Sequence, residues 1–448
     1  MAAGKRAMTQ KREIHLLAYL KTGPTANHMG GWRHPESELN DLLEPSRYEH
    51  IARVLEAACF DGLFFADGLG LHDIYKGGFE TRLEKGGQIS FLDPMMVLPL
   101  MARATSHIGI GTTLSTTFHQ PYNVARMLGS LDILTKGRVA WNVVTSTRNE
   151  EARNFGMEAL PPRELRYDMA DEFVEACFAL WDCWGEDTLV LDKESGKLVD
   201  ASKVRYANYE GQYFKTKGPL TIPRSPQGRP VIMQAGSSNR GRDFAARWAE
   251  LIFCPQHTKE DMQAFYIDIK SRMEKLGRGP DDCAIMPQIT VVVGETESVA
   301  VERAAFLDSL VDPELVLAAQ SSALGVDLAA LPADVSIDEA RGTQGMQGSL
   351  DRLKSTAKAK NLSLFEAAKR GERDLIIGTP EGIADRLEDL FVSRACDGFV
   401  VSPAVYPGMF EQFCRSVVPI LQKRGLFRTA YRGRTLRENI RLSQGASS

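Results

Sequence analysis

The stretch Ile108–Val144, IGIGTTLSTTFHQPYNVARMLGSLDILTKGRVAWNVV, contains one complete strand–helix–strand unit. Apolar residues dominate Ile108–Thr113 and Val139–Val144, which predicts two buried strands, and Pro121–Leu134 between them has the pattern of a helix. Gly137 predicts a left-handed cap at the end of that helix. A strand, a helix and a second strand in succession indicate parallel strands joined by a right-handed crossover.

The same alternation continues along most of the 448-residue chain. Each further predicted strand is followed by a helical stretch, and these strands are Ile14–Leu20, Leu63–Ala66, Val231–Gln234, Leu251–Phe253, Ile285–Val293 and Gly398–Val401. Eight such βα units predict an α/β fold in which a parallel sheet closes into a (β/α)₈ TIM barrel. An open, doubly wound sheet is the alternative.

Two long stretches interrupt this alternation. Residues 185–229 are polar, and residues 312–374 are rich in Ala, Gly and Ser. Because long insertions in such folds often form lids or substrate walls, we expect both at the C-terminal mouth of a single domain spanning residues 1–448. The basic, polar tail, residues 428–448, is expected to pack on a neighbouring subunit or to lack order.

Composition excludes several classes of protein. The net charge of −4, with Lys and Arg spread along the chain, does not resemble the basic footprint of a nucleic-acid binder. No window approaches the roughly 20 apolar residues of a membrane span. Seven scattered cysteines without a C-x-x-C pair, and no signal peptide, favour reduced thiols in the cytoplasm. The eight histidines lack metal-ligand spacing, so no metal site is expected.

Polar residues that follow the predicted strands are the first candidates for a site, because barrel active sites gather there. Asp67 ends an apolar strand and either accepts a hydrogen bond from a ligand or caps the next segment. Thr113 either contacts a ring rich in oxygen and nitrogen or satisfies backbone groups in a turn. Asn142 lies inside an apolar strand, where its amide either contacts a ring edge or is structural.

The turn Gln234–Gly241, QAGSSNRG, joins a predicted strand to a helix. Its small residues, Gly236 among them, let the backbone approach a ligand closely. Ser237 and Ser238 are suited to the helix N-terminus, where free N–H groups and the helix dipole favour an anion. The turn therefore predicts a phosphate site, with a plain N-terminal cap as the alternative.

Nine dispersed motifs carry a family resemblance. They are Gly31–Pro35 (GWRHP), Phe64–Asp67 (FFAD), Trp141–Ser146 (WNVVTS), Glu151–Gly156 (EARNFG), Arg166–Glu172 (RYDMADE), Pro223–Gly228 (PRSPQG), Gln234–Ser238 (QAGSS), Val418–Pro419 (VP) and Leu421–Gly425 (LQKRG). Together they resemble the bacterial-luciferase-like flavin monooxygenases. The most similar branch is that of the nitrilotriacetate, dibenzothiophene-sulfone and long-chain alkane monooxygenases, and the matches run in order from about Ile14 to Arg437.

This resemblance implies a luciferase-like barrel that uses reduced FMN (FMNH₂) as a cosubstrate and O₂ to monooxygenate a small organic substrate. Cleavage of a C–S or C–N bond is the expected chemistry. A separate NAD(P)H:flavin reductase would supply the reduced flavin, and a homodimer or homotetramer is expected because relatives form them. Two alternatives remain open, a deazaflavin-dependent barrel dehydrogenase and a non-catalytic flavin-binding protein.

The resemblance also assigns the flavin-binding residues. Asp67, Thr113 and Asn142 would contact the isoalloxazine ring or the ribityl chain. The phosphate would be held by Tyr167, Ser237, Ser238, the backbone of Gly236, and Arg163, which stands where relatives usually carry a histidine. An arginine there would supply a bidentate phosphate contact.

Three further residues are candidates for catalytic groups close to the reacting oxygen: His28, His72 and Thr147. Thr147 stands where the alkane-oxidising relative has a histidine near its substrate, and His72 stands where that relative has a tyrosine. Because both positions differ, the resemblance does not imply an alkane substrate.

Overall fold

Eight strands form the centre of the computed structural model, which describes residues 12–331 and 375–442 except residues 26, 255 and 257. They are β1 (His15–Leu20), β2 (Gly62–Phe65), β3 (Gly109–Ser115), β4 (Val139–Val144), β5 (Val231–Gln234), β6 (Leu251–Cys254), β7 (Ala284–Val293) and β8 (Gly398–Val401). Most of their residues are buried, as expected for strands covered on both faces.

The strands close into a barrel. Hydrogen bonding runs in the order β6-β5-β4-β3-β2-β1-β8-β7, and β6 also pairs with β7 from Leu251↔Ala284 to Cys254↔Pro287. Each pairing between barrel strands is parallel. The predicted (β/α)₈ barrel is therefore confirmed, and the open sheet is wrong. A short strand, Leu375–Gly378, extends the ladder at the far end of β7.

Helices cover the outside of the barrel. The described ones are α1 (Pro45–Ala57), α2 (Glu80–Glu84), α3 (Pro94–Ala104), α4 (Pro121–Leu134), α5 (Asn149–Asn154), α6 (Arg163–Trp181), α7 (Asn239–Trp248), α8 (Lys259–Lys275), α9 (Glu297–Ser309), α10 (Pro313–Leu324), α11 (Pro380–Val392), α12 (Gly408–Ser416), α13 (Val418–Lys423) and α14 (Leu436–Leu442). Helices α12 and α13 replace one helix predicted over Phe410–Lys423. The break lies two residues before Pro419, whose nitrogen cannot donate a helical hydrogen bond.

The first insertion lies at the N-terminal end of the barrel. Residues 185–229 follow α6, which returns the chain from the mouth to that end, and they precede β5. Near their close, Gln227 Nε2 donates to the carbonyl of Val139, the first residue of β4, at 2.9 Å. The mouth position predicted for this insertion is therefore wrong, because the segment joins the end of a helix to the start of a strand.

The described part of the second insertion does lie at the mouth. Helix α10 packs on α2, in the connection that follows β2. Lys85 Nζ pairs with Asp312 Oδ2 at 2.8 Å, and Lys76 pairs with Glu314. Residues 332–374 of this insertion lie outside the described residues.

The tail folds back onto its own barrel over residues 428–442, so the expectation that this part lacks order is wrong, while its packing on a neighbouring subunit stays a prediction. Leu436 and Ile440, one helical turn apart in α14, are buried in the same apolar cluster as the barrel interior. Arg437 forms a two-pronged ion pair with Glu250, with Nε–Oε2 at 2.6 Å and Nη2–Oε1 at 2.7 Å. The tail therefore closes the N-terminal end of the barrel.

Candidate active site

A chain of hydrogen bonds crosses β2, β3 and β4 at the mouth. Asn142 Nδ2 donates to Thr113 Oγ1 at 2.8 Å, and the Thr113 hydroxyl donates to the carbonyl oxygen of Phe65 at 2.8 Å. Thr113 and Asn142 are direct neighbours in the parallel ladder, and both are buried. The structure thus gives both side chains a structural role and also holds the Asn142 amide in one orientation.

Asp67 stands beside this chain at the end of β2. Its Oδ1 accepts a hydrogen bond from the backbone N–H of Gly68 at 2.8 Å. Burial raises the pKa of the Asp67 carboxyl, while the Ser90 hydroxyl, the Gly68 N–H and the charge of Lys21 oppose that shift. Because these effects oppose each other, a charge or hydrogen-bonding group that binds next to Asp67 would change its protonation state.

The turn between β5 and α7 meets the start of α6. Ser238 caps α7 and accepts a hydrogen bond from Gly241 N–H at 3.1 Å. Its side chain forms a hydrogen bond with the hydroxyl of Tyr167, a residue that is 8% exposed. A Cβ at Gly236 would lie 2.9 Å from Tyr167 Oη and 2.4 Å from Gln234 Nε2. The backbone of Gly236 thus stays bare where two helix N-termini converge.

Three arginines surround the Tyr167 hydroxyl. Burial raises the pKa of Tyr167, while Arg163, Arg166 and Arg240 act against that rise. Arg166 donates to the carbonyl oxygens of Thr145, at 3.3 Å, and of Ser146, so it also anchors the loop after β4. Positive charge and two helix N-termini at one point favour an anion such as a phosphate.

His72 contacts the loop after β4. Its Nε2 lies against Arg148 Nη1, and its Nδ1 lies 3.7 Å from Glu150 Oε1. Arg148 in turn pairs with Glu151, with Nη2–Oε1 at 2.8 Å. Burial of the His72 imidazole lowers its pKa most, and the charge of Arg148 lowers it further. Together they hold the pKa well below its usual range. His72 is therefore neutral at physiological pH.

The other two catalytic candidates are His28 and Thr147. His28 is buried, with Nε2 3.4 Å from Asp308 Oδ1 on α9, and its Nδ1 accepts a hydrogen bond from Gly30 N–H at 3.2 Å. Thr147 is exposed, between Ser146 and Arg148. Of the three catalytic candidates, Thr147 thus lies in the loop that His72 contacts through Arg148, whereas His28 packs against α9. In the described part of the chain, no group of three His, Cys, Asp or Glu side chains is placed to hold a metal ion.

Four charged residues at the mouth were not predicted from the sequence: Lys21, Arg82, Arg148 and Glu150. Lys21 directly follows β1, as Asp67 closely follows β2, so the same reasoning would have found it. Arg148 lies next to Thr147 in the loop after β4. Arg82 lies on the short helix α2, and no sequence pattern distinguishes it from a surface arginine.

No described helix has the length and apolar character required to cross a membrane. The seven cysteines all lie in the described residues as free thiols, six of them buried.

Comparison with known proteins identifies the family. Residues 25–397 match the luciferase-like monooxygenase family. The chain is 44% identical to dibenzothiophene-sulfone monooxygenase of Rhodococcus erythropolis (strain XP), over 97% of this chain and 98% of that one. It is 37% identical to N-acetyl-S-(2-succino)cysteine monooxygenase of Bacillus subtilis (strain 168), with the same coverage.

A solved structure extends the likeness to the whole barrel. Riboflavin lyase, determined with a modified FMN and its substrate riboflavin, superimposes with a TM-score of 0.89 at 30% identity, covering 96% of each chain. The chain therefore belongs to the luciferase-like monooxygenase family, as an oxygenase that uses reduced FMN.

Proposed function

We propose that the mouth of the barrel from β2 to β5 binds reduced FMN, with the phosphate at the N-terminus of α7. The convergence of Tyr167, Ser238 and the bare backbone of Gly236 at one point carries this assignment. Ser237 and Arg163 flank that point. A doubly charged phosphate suits it because free N–H groups, hydroxyls and a guanidinium all stabilise oxyanions.

The ring of the flavin fits the adjoining strands. Asn142 lies opposite Met233 of β5 in the ladder, so its amide is one strand away from the turn that leads to Gly236. Asp67 and the Thr113–Asn142 pair offer a carboxyl and an amide to the polar edge of an isoalloxazine. These are the group types that such an edge, with its own N–H and C=O groups, can pair with.

Bound reduced FMN supplies the electrons that activate oxygen, and the protein supplies position and environment. The hydrogen bonds from Asn142 to Thr113 and from Thr113 to Phe65 hold the ring-facing amide rigid. The neutral imidazole of His72 can donate or accept a hydrogen bond but does not carry charge at physiological pH. His28 and Thr147 stay predictions as catalytic groups.

The substrate that we propose is a small organosulfur compound whose C–S bond is cleaved. Two related enzymes of similar length carry names that specify a sulfone and a thioether, and this chain covers nearly all of each. The oxygenase would receive its flavin from a separate NAD(P)H:flavin reductase and would work as a homodimer or homotetramer. We place this single-domain protein in the cytoplasm, where free thiols such as its seven persist.

A flavin titration tests the phosphate site. We expect the protein to bind reduced FMN clearly more tightly than oxidised FMN, and more tightly than reduced riboflavin, which lacks the phosphate. Ser238→Ala together with Tyr167→Phe should weaken reduced FMN at least tenfold and leave reduced riboflavin within twofold. Anaerobic fluorescence titration measures all five dissociation constants, three for the wild type and two for the variant.

Ser130→Ala with Tyr122→Phe is the matched control, because neither residue contacts the turn after β5, and it should change no constant. Equal loss of FMN and riboflavin in the site variant would contradict a phosphate site there. Product formation from any substrate under strict anaerobiosis would contradict the oxygenase itself.

A further inference from the structure

Positive side chains gather on the side of the mouth that is formed by β1, the connection after β2 and the loop after β4. They are Lys21, Arg82 and Arg148, and each affects the protonation of the neutral His72. We call Lys21, Arg82 and Arg148 the cation cluster. It is distinct from the arginines around Tyr167, which belong to the turn after β5 and the start of α6.

Two members of the cation cluster are charged but not paired. Arg148 has Glu151 as its partner at 2.8 Å, whereas neither Lys21 nor Arg82 has a carboxylate of the described chain within ion-pair distance. Arg82 is only 7% exposed. Removing a cation from water without a counterion is costly, so retaining two such cations at one site indicates an anion that is absent from the protein itself.

Unsatisfied polar atoms surround the cation cluster. Nε of Arg82, Nε of Arg148 and Oε1 of Glu150 are buried, and none has a hydrogen-bond partner among the described residues, with Arg148 Nε 3.9 Å from Glu150 Oε1. Buried polar groups in folded proteins are nearly always paired, so unpaired ones close together mark a place where a ligand or ordered water completes the network. Two of them are guanidinium N–H donors, which an oxyanion would accept.

The pKa values of Lys21 and Arg82 also indicate a missing anion. Burial and the repulsion of Arg148 lower the pKa of Lys21 to about 8, and burial lowers the pKa of Arg82 to about 10. An anion between these groups would reverse both shifts. Asp67 and Glu151 act on Lys21 in the same direction as such an anion, but burial outweighs them.

We propose that the cation cluster binds a carboxylate of the substrate, so that the substrate is an anionic rather than a neutral organosulfur compound. This inference rests on the proposed function, because it deepens the substrate class of the same mouth. The flavin phosphate is not the anion in question, since it is assigned to the turn after β5. The cluster adjoins the proposed ring site, because the charge of Asp67 acts on Lys21.

Calorimetry with two matched probes tests the proposal. N-acetyl-S-(2-succino)cysteine is an acidic thioether, and its fully methyl-esterified form has the same skeleton without charge. Full-length protein loaded anaerobically with reduced FMN should bind the acid at least tenfold more tightly than the ester. Lys21→Gln with Arg82→Gln should weaken the acid at least tenfold and leave the ester within twofold.

Arg103→Gln with Arg126→Gln is the control, because it removes two exposed arginines from α3 and α4 and so matches the change in net charge. It should bind both probes as wild type does. The free energy of unfolding should not fall in Lys21→Gln with Arg82→Gln, since two unpaired buried cations are removed. A clear fall would assign the cations a structural role and overturn the proposal.

Three binding results would also overturn it: equal affinity of wild type for acid and ester, unchanged acid affinity in the cluster variant, or a tenfold loss of reduced FMN in that variant. The last would assign the cluster to the flavin. Wild-type protein that fails to bind reduced FMN would instead contradict the proposed function. Probe binding to flavin-free protein would still report on the cluster, so the two failures are distinguishable.

Discussion

Polar residues at the mouth divide into two groups by how the protein satisfies them. Asn142 and Thr113 are bonded to each other and to the backbone of β2, so they are rigid before any ligand arrives. Lys21 and Arg82 lack a counterion in the described protein and are therefore placed at an energetic cost. Rigid groups suit the positioning of a flavin ring, and unsatisfied charges suit the recognition of a charged substrate.

Replacing Asn142 by Asp tests the rigid group. The carboxylate cannot donate to Thr113 Oγ1, and one lost hydrogen bond costs about 1 kcal/mol, with a further cost for a buried acid. We expect the dissociation constant of reduced FMN to rise about tenfold, which corresponds to about 1.4 kcal/mol. Anaerobic titration measures it, and Asn123→Asp on the exposed face of α4 should have no effect. Unchanged flavin affinity in Asn142→Asp would remove this amide from the site.

Lys21 makes the stability of the protein depend on pH in a defined direction. Its pKa in the folded protein, about 8, lies below the ordinary value, so the folded state binds fewer protons than the unfolded state as pH rises from about 8. The penalty for burying the charge is full below that pH and is relieved above it. Lys21→Gln should therefore stabilise the protein most at pH 7, and by less at pH 9.5.

Urea unfolding of wild type and Lys21→Gln at the two pH values measures this difference. Lys193 is an exposed lysine in the first insertion. Lys193→Gln should change the free energy of unfolding by the same small amount at both pH values. An advantage of Lys21→Gln that grows with pH would mean that the lysine gains a partner on folding. Asp67 and Glu151 are the carboxylates that would supply it.

Residues that follow strands were predictable because a parallel barrel brings all strand ends to one rim. Asp67, Thr113 and Asn142 meet for that reason, and the helix N-terminus at Ser238 follows from its turn chemistry. Arg82 was not predictable, because its place depends on how the long connection after β2 folds. The separation of His28 from His72 depends on α9, whose packing no local pattern specifies.

At the scale of elements, the strands were predicted to within one or two residues, since their apolar runs are short and bounded. The tail was not, although Leu436 and Ile440 have the spacing of one helical face. Two apolar residues among many charges give a weak periodic signal. Burial of that face is favourable only because the N-terminal end of the barrel would otherwise be exposed. That end forms only when the strands close, so no local sequence pattern reveals it.

Truncating Leu436 to Ala tests this closure. Leu436 is 1% exposed, and its Cδ1 lies 2.6 Å from where a Cβ of Gly109 would stand, so the packing is tight. Leaving a cavity there should cost about 2–4 kcal/mol of unfolding free energy. Urea denaturation measures it. Leu134→Ala, at a position 80% exposed, should change stability by about 0.5 kcal/mol or less, and an equally small effect at Leu436 would contradict the closure.

In the whole molecule, the two ends of the barrel have different roles, one functional and one structural. The mouth carries the candidate flavin site, the cation cluster and the described part of the second insertion. The opposite end carries the tail and the first insertion, and Gln227 and Arg437 bind each other there, with Arg437 N–H donating to Gln227 Oε1 at 3.3 Å. This arrangement separates residues under functional constraint from those that complete the core.

Shortening the first insertion tests that separation. The hairpin Leu189–Asp192 with Lys197–Val199 is exposed, and Asp200 N–H donates to the Thr188 carbonyl at 2.9 Å, so its two ends are already adjacent. Replacing residues 189–199 by Gly-Gly should leave the affinity for reduced FMN within twofold. The hairpin follows the end of α6, and the length of that helix separates it from the mouth residues of β2–β5. Anaerobic titration measures this, with sedimentation velocity to follow the oligomer. A folded variant that loses tenfold or more in flavin affinity would show that this end of the barrel acts on the mouth.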